Sequence, residues 1–133
     1  MNFKIYTVSN KIDKFYIEAI KEYKKRLSRY CKIELIQVKN EEQILKKISD
    51  KYYKISIGVT GQNISSEELA DKINTFCISG NSDIALIIGA AKITYDEAIS
   101  ISSMEMDLGL ITTVIFEQLY RAYRILNNQP YHK

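Results

Sequence analysis

The sequence predicts an α/β fold in which helices cover both faces of a mostly parallel sheet. Segments with a strand pattern alternate with segments of helical periodicity, which is the order expected for such a sheet. One strand segment is apolar throughout, as strands covered on both faces are. The chain has 133 residues, the usual length of one domain, so we expect a single domain over residues 1–133.

The first half of the chain predicts two strands and two helices. Residues 3–8 and 32–38 alternate in the manner of strands, and residues 12–27 carry apolar side chains at intervals of three and four. Asn40, with Gln43 three residues later, is typical of the start of the second helix.

A third strand is expected over residues 53–59, with Gly61 in the turn that follows it. Ser65 and Glu68 have the spacing of a capping box. They predict a helix that ends at the turn-forming residues 79–82.

The most apolar segment, residues 83–89, should lie in the middle of the sheet. A short helix near residues 94–99 and a short extended piece near residues 101–106 are expected after it. Residues 110–127 then form the last helix, with apolar side chains around much of its circumference. A second apolar face favours a partner, and a symmetric homodimer is the commonest arrangement.

Composition argues against several kinds of site. Cys31 and Cys77 belong to no CxxC pair, so neither a metal site nor a disulfide framework is expected. A long apolar run and an N-terminal leader are both missing from the pattern, so we expect a cytoplasmic protein with no membrane partner. The net charge of +3 is too small to predict strong nonspecific nucleic-acid binding. The basic run at residues 21–29 fits either a phosphate-facing surface or a solvated helix face.

Ligands of parallel sheets bind beyond the carboxyl ends of the strands, which points to the loops 59–65 and 89–93. Gly89 would allow a ligand to approach the backbone there, although a tight turn also explains this glycine. The chain contains neither a GxGxxG nor a GxSxG motif, and its one histidine is His132.

The C-terminal block carries the most specific pattern. Residues 117–124 read Glu-Gln-Leu-Tyr-Arg-Ala-Tyr-Arg and residues 130–133 read Pro-Tyr-His-Lys. This block resembles the C-terminus of the ribosomal RNA large subunit methyltransferase H family. Residues 22–27, 61–70 and 87–89 are also similar to that family, so the resemblance covers nearly the whole chain.

The resemblance implies a SPOUT-type α/β fold with a C-terminal trefoil knot, acting as a homodimer. Periodicity alone would not predict a knot, because threaded chains are rare. The resemblance further implies that S-adenosylmethionine is the cofactor. The substrate it implies is N3 of a pseudouridine in 23S rRNA, within the large subunit or the assembled ribosome.

Four residues of the C-terminal block are the candidate catalytic set. His132 is the natural base to remove the N3 proton, because imidazole titrates near neutrality. Arg121 would bind a phosphate or the base carbonyl, and Tyr131 would stack on the base. Glu117 lies one helical turn before Arg121. The simpler interpretations are an ordinary i, i+4 pair and a disordered tail.

The resemblance places the cofactor at three strand ends. The candidate cofactor residues are Ile57, Gly61, Gly89, Ala90, Ser102, Ser103, Met104, Glu105, Met106 and Asp107.

Two of these loops depart from the family pattern. Two adjacent glycines and a third glycine three residues later are typical, whereas residues 89–93 read Gly-Ala-Ala-Lys-Ile. A Pro-His or Thr-His pair with a later arginine is also typical, whereas Asp107, Leu108 and Thr112 stand here. Three hypotheses follow: an active rRNA methyltransferase, a weakened paralogue that keeps the fold, and a small binding module without nucleic acid.

Overall fold

The computed structural model describes residues 1–8, 11–90 and 93–132. The described residues form five strands and four helices: β1 (Asn2–Val8), α1 (Lys14–Leu27), β2 (Lys32–Val38), α2 (Glu41–Lys47), β3 (Tyr53–Asn63), α3 (Ser66–Ser79), β4 (Asp83–Ile88), β5 (Glu97–Ser100) and α4 (Leu108–Leu126). The strands form one sheet in the order β2-β1-β4-β3-β5. Every neighbouring pair is parallel, which confirms the predicted α/β class.

β4 lies at the centre of the sheet, as its apolar sequence predicts. Ile84, Leu86 and Ile88 point into the larger core with α1, α3 and α4. Ala85 and Ile87 point to the opposite face, because successive strand side chains alternate. Residues 84–88 are all buried in consequence.

The two faces of the sheet are covered unequally. Ile20 of α1, Ile73 of α3 and Phe116 of α4 belong to one continuous core. On the other face α2 contributes Ile44, which is fully buried in the smaller cluster. The larger core therefore lies between the sheet and three helices, and α4 contacts both α1 and α3 there.

The predicted caps of α2 and α3 are confirmed. The Asn40 side chain accepts a hydrogen bond from the Gln43 amide at 3.0 Å, which satisfies a free donor of α2. Ser65 and Glu68 form a reciprocal capping box at the start of α3. Gly80 ends that helix in the left-handed region, where glycine is favoured.

Three expectations for the segments around β5 are wrong. Gly61 is not in a turn: it lies within β3, which runs on past a register shift to pair again with β5. Residues 97–100 form a strand rather than part of a helix, because the open edge of β3 offers backbone hydrogen bonds that a short helix would leave unused. Residues 101–106 form bends and irregular backbone rather than an extended strand.

Within the part of the chain that the structure describes, no helix is long and apolar enough to cross a membrane. In the same residues, no group of three or more histidine, cysteine, aspartate or glutamate side chains could hold a metal ion.

Candidate functional site

The candidate catalytic residues come together on the side of α4 that faces the start of α3. Glu117 and Arg121 form an ion pair, with 2.8 Å between Glu117 Oε1 and Arg121 Nη2. Residues 129–132, which we call the tail, follow α4 and fold back along it. Tyr131 places its ring 4.8 Å from the Arg121 guanidinium carbon, within cation–π range, and its hydroxyl donates to Glu117 at 3.4 Å.

His132 contacts two helices. Its Nδ1 lies 3.1 Å from Nη1 of Arg121 on α4. Its Nε2 contacts Oε1 of Glu67 in the first turn of α3. The imidazole is 27% exposed, so the ring is only partly open to solvent.

The rest of the tail is bound as well. Arg124 donates to the carbonyl of Pro130 at 2.9 Å and to the Gln129 side chain at 3.1 Å. Tyr30, in the turn after α1, also donates to Gln129. The interpretation of this tail as disordered is therefore wrong for residues 129–132. Lys133 lies outside the described residues.

Hydrogen bonds link these side chains between α3 and α4, and the peptide bond between Ser66 and Glu67 closes them into a ring. The Ser66 hydroxyl donates to Gln118 at 2.6 Å, and the Gln118 amide donates to Glu117 at 3.1 Å. We call this set the polar ring, and its members are Ser66, Gln118, Glu117, Arg121, His132 and Glu67. Charge and hydrogen bonding thus connect the tail to the first turn of α3.

Two acidic groups of the site have shifted pKa values. Hydrogen bonding to its own backbone amide, and then to His132, lowers the pKa of Glu67. Burial raises the pKa of Tyr131, and a hydrogen bond to Tyr23 and the charge of Glu117 act in the same direction. Tyr131 is therefore a neutral phenol, and Glu67 a carboxylate, near neutral pH.

An apolar cavity adjoins the polar ring. It has a volume of about 290 Å³ and lies between the sheet, α3 and α4. Ile57, Ile101 and Met106 line it, and Ser66 and Gln118 of the polar ring form part of its wall. Two of the predicted cofactor residues, Ile57 and Met106, therefore face one cavity.

Gly89 and Ala90 lie elsewhere. Gly89 has a φ of +84°, a left-handed conformation that favours glycine. A Cβ atom there would lie 3.6 Å from Leu108 Cδ1, so the side chain of Leu108 borders this backbone. Ala90 is buried in the smaller core cluster on the α2 face, away from the cavity. Ala91 and Lys92 of the predicted loop lie outside the described residues.

Gly61 has a packing role that its sequence did not suggest. A Cβ atom on Gly61 would lie 2.5 Å from the carbonyl carbon of Ile99. The glycine is needed for the close approach of β3 and β5. It is not among the residues that line the cavity.

Most side chains of the predicted loop 102–107 are exposed or form hydrogen bonds with nearby backbone amides. The Ser102 hydroxyl accepts from the Met104 amide at 3.0 Å, and the Met104 side chain is 74% exposed. Ser103 and Glu105 are exposed too. Asp107 caps α4 by accepting from the Gly109 amide at 2.9 Å, which accounts for an acidic residue at this position.

Sequence reasoning missed three members of the polar ring: Ser66, Glu67 and Gln118. Residues 65–68 have the spacing of a helix cap, which is a local role, and the resemblance of residues 61–70 to the family assigns Ser66 and Glu67 no role in the site. The contact between Glu67 and His132 joins residues 65 positions apart. No spacing rule predicts a contact at that separation.

Comparisons with known proteins identify the family of this chain. A family model described as "Predicted SPOUT methyltransferase" matches residues 1–132. The "Ribosomal RNA large subunit methyltransferase H 1" of Thermoanaerobacter sp. (strain X514) is 56% identical over 133 residues, the whole of both chains. The "Ribosomal RNA large subunit methyltransferase H" proteins of Lactobacillus helveticus (strain DPC 4571) and Clostridioides difficile (strain 630) are 36% and 35% identical over 159 aligned positions, again the whole of each chain.

The alignments differ in length. The Thermoanaerobacter relative aligns over 133 positions, whereas the other two align over 159, so those two contain 26 positions that have no counterpart here. Each alignment nonetheless covers the full length of this chain. This chain belongs to the ribosomal RNA large subunit methyltransferase H family of SPOUT methyltransferases.

Proposed function

We propose that this protein methylates N3 of a pseudouridine in the 23S rRNA of the large subunit, with S-adenosylmethionine as the methyl donor. It would act in the cytoplasm, on the large subunit or the assembled ribosome. The observation that carries the proposal is the polar ring, which combines the catalytic candidates with the wall of an apolar cavity.

The cavity fits the adenine part of the cofactor. Its surface is mostly apolar, with Ile57, Ile101 and Met106 available to contact the faces of a planar ring. Ser66 and Gln118 offer polar groups at its wall. S-adenosylmethionine would supply an electrophilic methyl group, and the protein would orient the acceptor and exclude water.

The tail and α4 supply the groups that act on the RNA. His132 accepts the proton of N3, and Arg121 binds a phosphate or the carbonyl oxygen of the base. Tyr131 stacks on the base, because its neutral aromatic ring is partly exposed beside Arg121. Glu117 orients Arg121 through their ion pair.

We also propose a homodimer of one knotted domain over residues 1–133. Apolar side chains remain uncovered on two neighbouring helices: Phe15 of α1 is 63% exposed and Leu110 of α4 is 40% exposed. Such a surface favours a second copy of the chain. Sedimentation equilibrium should give twice the chain mass of 15.4 kDa, and a single chain mass at micromolar concentration would contradict the dimer.

A weakened paralogue is the second candidate, and specific contacts favour it. Leu108 borders Gly89, and Leu108 stands at the position where the family carries a histidine. Thr112, which stands in place of an arginine, is buried and donates to the Leu108 carbonyl at 2.7 Å. The groups lost here would have contacted cofactor or RNA.

Calorimetric titration with S-adenosylmethionine tests the proposal. Met106→Trp fills the cavity and should weaken binding at least about tenfold, since the loss of one good apolar contact surface is worth over 1 kcal/mol. Met104→Trp changes an exposed residue of the same loop and should leave the affinity unchanged. An absence of binding heat at millimolar cofactor would sink the enzyme hypothesis.

Turnover on large subunits tests the catalytic set. His132→Ala should lower kcat roughly 100-fold if the imidazole is the base. Unchanged kcat would remove that role. If the cofactor does not bind, ribosome binding that falls steeply with salt would favour the paralogue, and a flat salt response would favour a binding module without nucleic acid.

A further inference from the structure

Both ring nitrogens of His132 have partners, and the two partners differ in kind. Arg121 can only donate hydrogen bonds, so Nδ1, which lies 3.1 Å from its Nη1, must be the acceptor. A neutral imidazole carries one proton, and that proton must then be on Nε2. Nε2 contacts Glu67 Oε1, which completes a donor–acceptor pair.

Glu67 is suited to accept this proton. Glu67 is the second residue of α3, and the N-terminus of a helix favours a negative charge such as its carboxylate. Hydrogen bonding from its own backbone amide lowers its pKa, so the side chain is ionised and can only accept. A carboxylate beside one nitrogen of a histidine fixes which nitrogen is protonated.

Arg121 covers the other nitrogen. While Arg121 donates to Nδ1, the lone pair of that nitrogen cannot take a proton from another group. Arg121 also binds Glu117, at 2.8 Å, and lies over Tyr131. A phosphate or base carbonyl would compete for this guanidinium, because arginine binds such oxygens strongly.

We propose that Glu67 is a positioning residue that keeps the His132 proton on Nε2, so that Nδ1 becomes the proton acceptor when RNA draws Arg121 away. This inference rests on the proposed function. Substrate binding would thereby uncover the base, and an empty site would keep the base covered.

The proton transfer balances without any further reagent. The N3–H bond of the base breaks, its electron pair stays on N3, and the proton bonds to Nδ1 of His132. The resulting imidazolium has protons on both nitrogens, and the Glu67 carboxylate offsets its positive charge. N3 would then hold the electron pair that bonds to the methyl carbon of S-adenosylmethionine, whose carbon–sulfur bond would break and leave S-adenosylhomocysteine.

Nitrogen-15 NMR of the imidazole tests the proton position directly, because His132 is the single histidine of the sequence. In the wild-type protein at a pH where the ring is neutral, Nε2 should carry the proton and Nδ1 should not. A proton on Nδ1 would overturn the proposal. This measurement requires neither cofactor nor turnover, so its result does not depend on whether the proposed function is correct.

Glu67→Ala tests the positioning role. The Nε2 proton should exchange with water at least about tenfold faster, because its acceptor is gone. The matched control is Glu42→Ala, which removes the same charge from the second residue of α2 on the opposite face of the sheet. Equal exchange rates in the two variants would overturn the assignment.

Turnover completes the test. Glu67→Ala should lower kcat on large subunits roughly tenfold with the KM for S-adenosylmethionine unchanged, as loss of an orienting partner does. Glu42→Ala should retain the wild-type kcat. If the wild-type protein is active and Glu67→Ala retains its kcat, the positioning role is wrong. A wild-type protein that methylates nothing would instead defeat the proposed function.

Discussion

Replacing Gly61 by alanine should destabilise the protein where β3 meets β5. A Cβ atom at this position would lie 2.5 Å from the carbonyl carbon of Ile99 and 2.7 Å from its nitrogen and oxygen. These are backbone atoms of a paired strand, so they cannot rotate away as a side chain could. The two strands must separate.

The size of the effect follows from these distances. Ordinary contact begins near 3.4 Å, so the strands must move apart by about 0.9 Å. That shift would break weak backbone hydrogen bonds next to the ladder, such as the one from the Ile64 amide to the Ser100 carbonyl, at 3.4 Å. Overpacking costs about 1–3 kcal/mol and a lost hydrogen bond about 1 kcal/mol. We expect a loss of about 2–4 kcal/mol, or roughly 6–20 °C in Tm for a chain of this size.

Urea denaturation at fixed protein concentration measures this loss. Gly58→Ala is the matched control, because it lies in the same strand and a Cβ atom there would meet nothing within 4 Å. Its free energy of unfolding should stay within about 0.5 kcal/mol of the wild type. Gly61→Ala as stable as Gly58→Ala would refute the packing role of Gly61.

Three other predictions concern caps, thiols and a phenol. Asp107→Ala should lower the free energy of unfolding by about 1 kcal/mol through loss of the α4 cap. Asp13→Ala should cost less, since the Asp13 side chain makes no cap bond in the described residues; equal losses would contradict this. Burial raises the pKa of Cys31 to about 11, so roughly one Cys31 thiol in 1,000 is ionised at pH 8. Mass spectrometry should therefore show that iodoacetamide labels the exposed Cys77 before Cys31. Equal labelling rates at the two cysteines would contradict the burial of Cys31. Burial and a nearby carboxylate raise the pKa of Tyr53 to about 12. The stability that the neutral phenol contributes is complete below its unfolded pKa of about 10 and is lost as the pH rises to about 12. The urea midpoint should therefore fall less steeply with pH between about 10 and about 12 in Tyr53→Phe than in the wild type. Equal slopes in the two proteins would contradict the raised pKa of Tyr53.

Elements that depend on neighbouring residues could be predicted from the sequence. The caps of α2 and α3 are built from side chains three positions apart, and the structure confirms both. The apolar run of β4 predicted a central strand because burial on both faces leaves no polar alternation.

Elements that depend on distant partners could not be predicted. β5 forms because β3 has an open edge, and residues 97–100 carry no local signal that distinguishes strand from helix. Gly61 was assigned to a turn because glycine is usual in turns, whereas its role depends on a strand that is 38 residues later.

The candidate site divides in the same way. The ion pair of Glu117 and Arg121 follows from helical spacing alone. The contact of His132 with Glu67 requires the tail to turn back onto α3, and neither segment indicates that on its own.

The pairing of β1 with β4 has a consequence for how the chain is made. Asn2 pairs with Asp83, so the first strand to be synthesised meets its central neighbour only after another 81 residues have been added. At about 5–20 residues per second, that interval is roughly 4–16 s. During that time the apolar residues Phe3 and Ile5, which are buried in the folded protein, have no β4 beside them. The edge of β1 that pairs with β4 therefore stays open in the nascent chain until β4 has been synthesised.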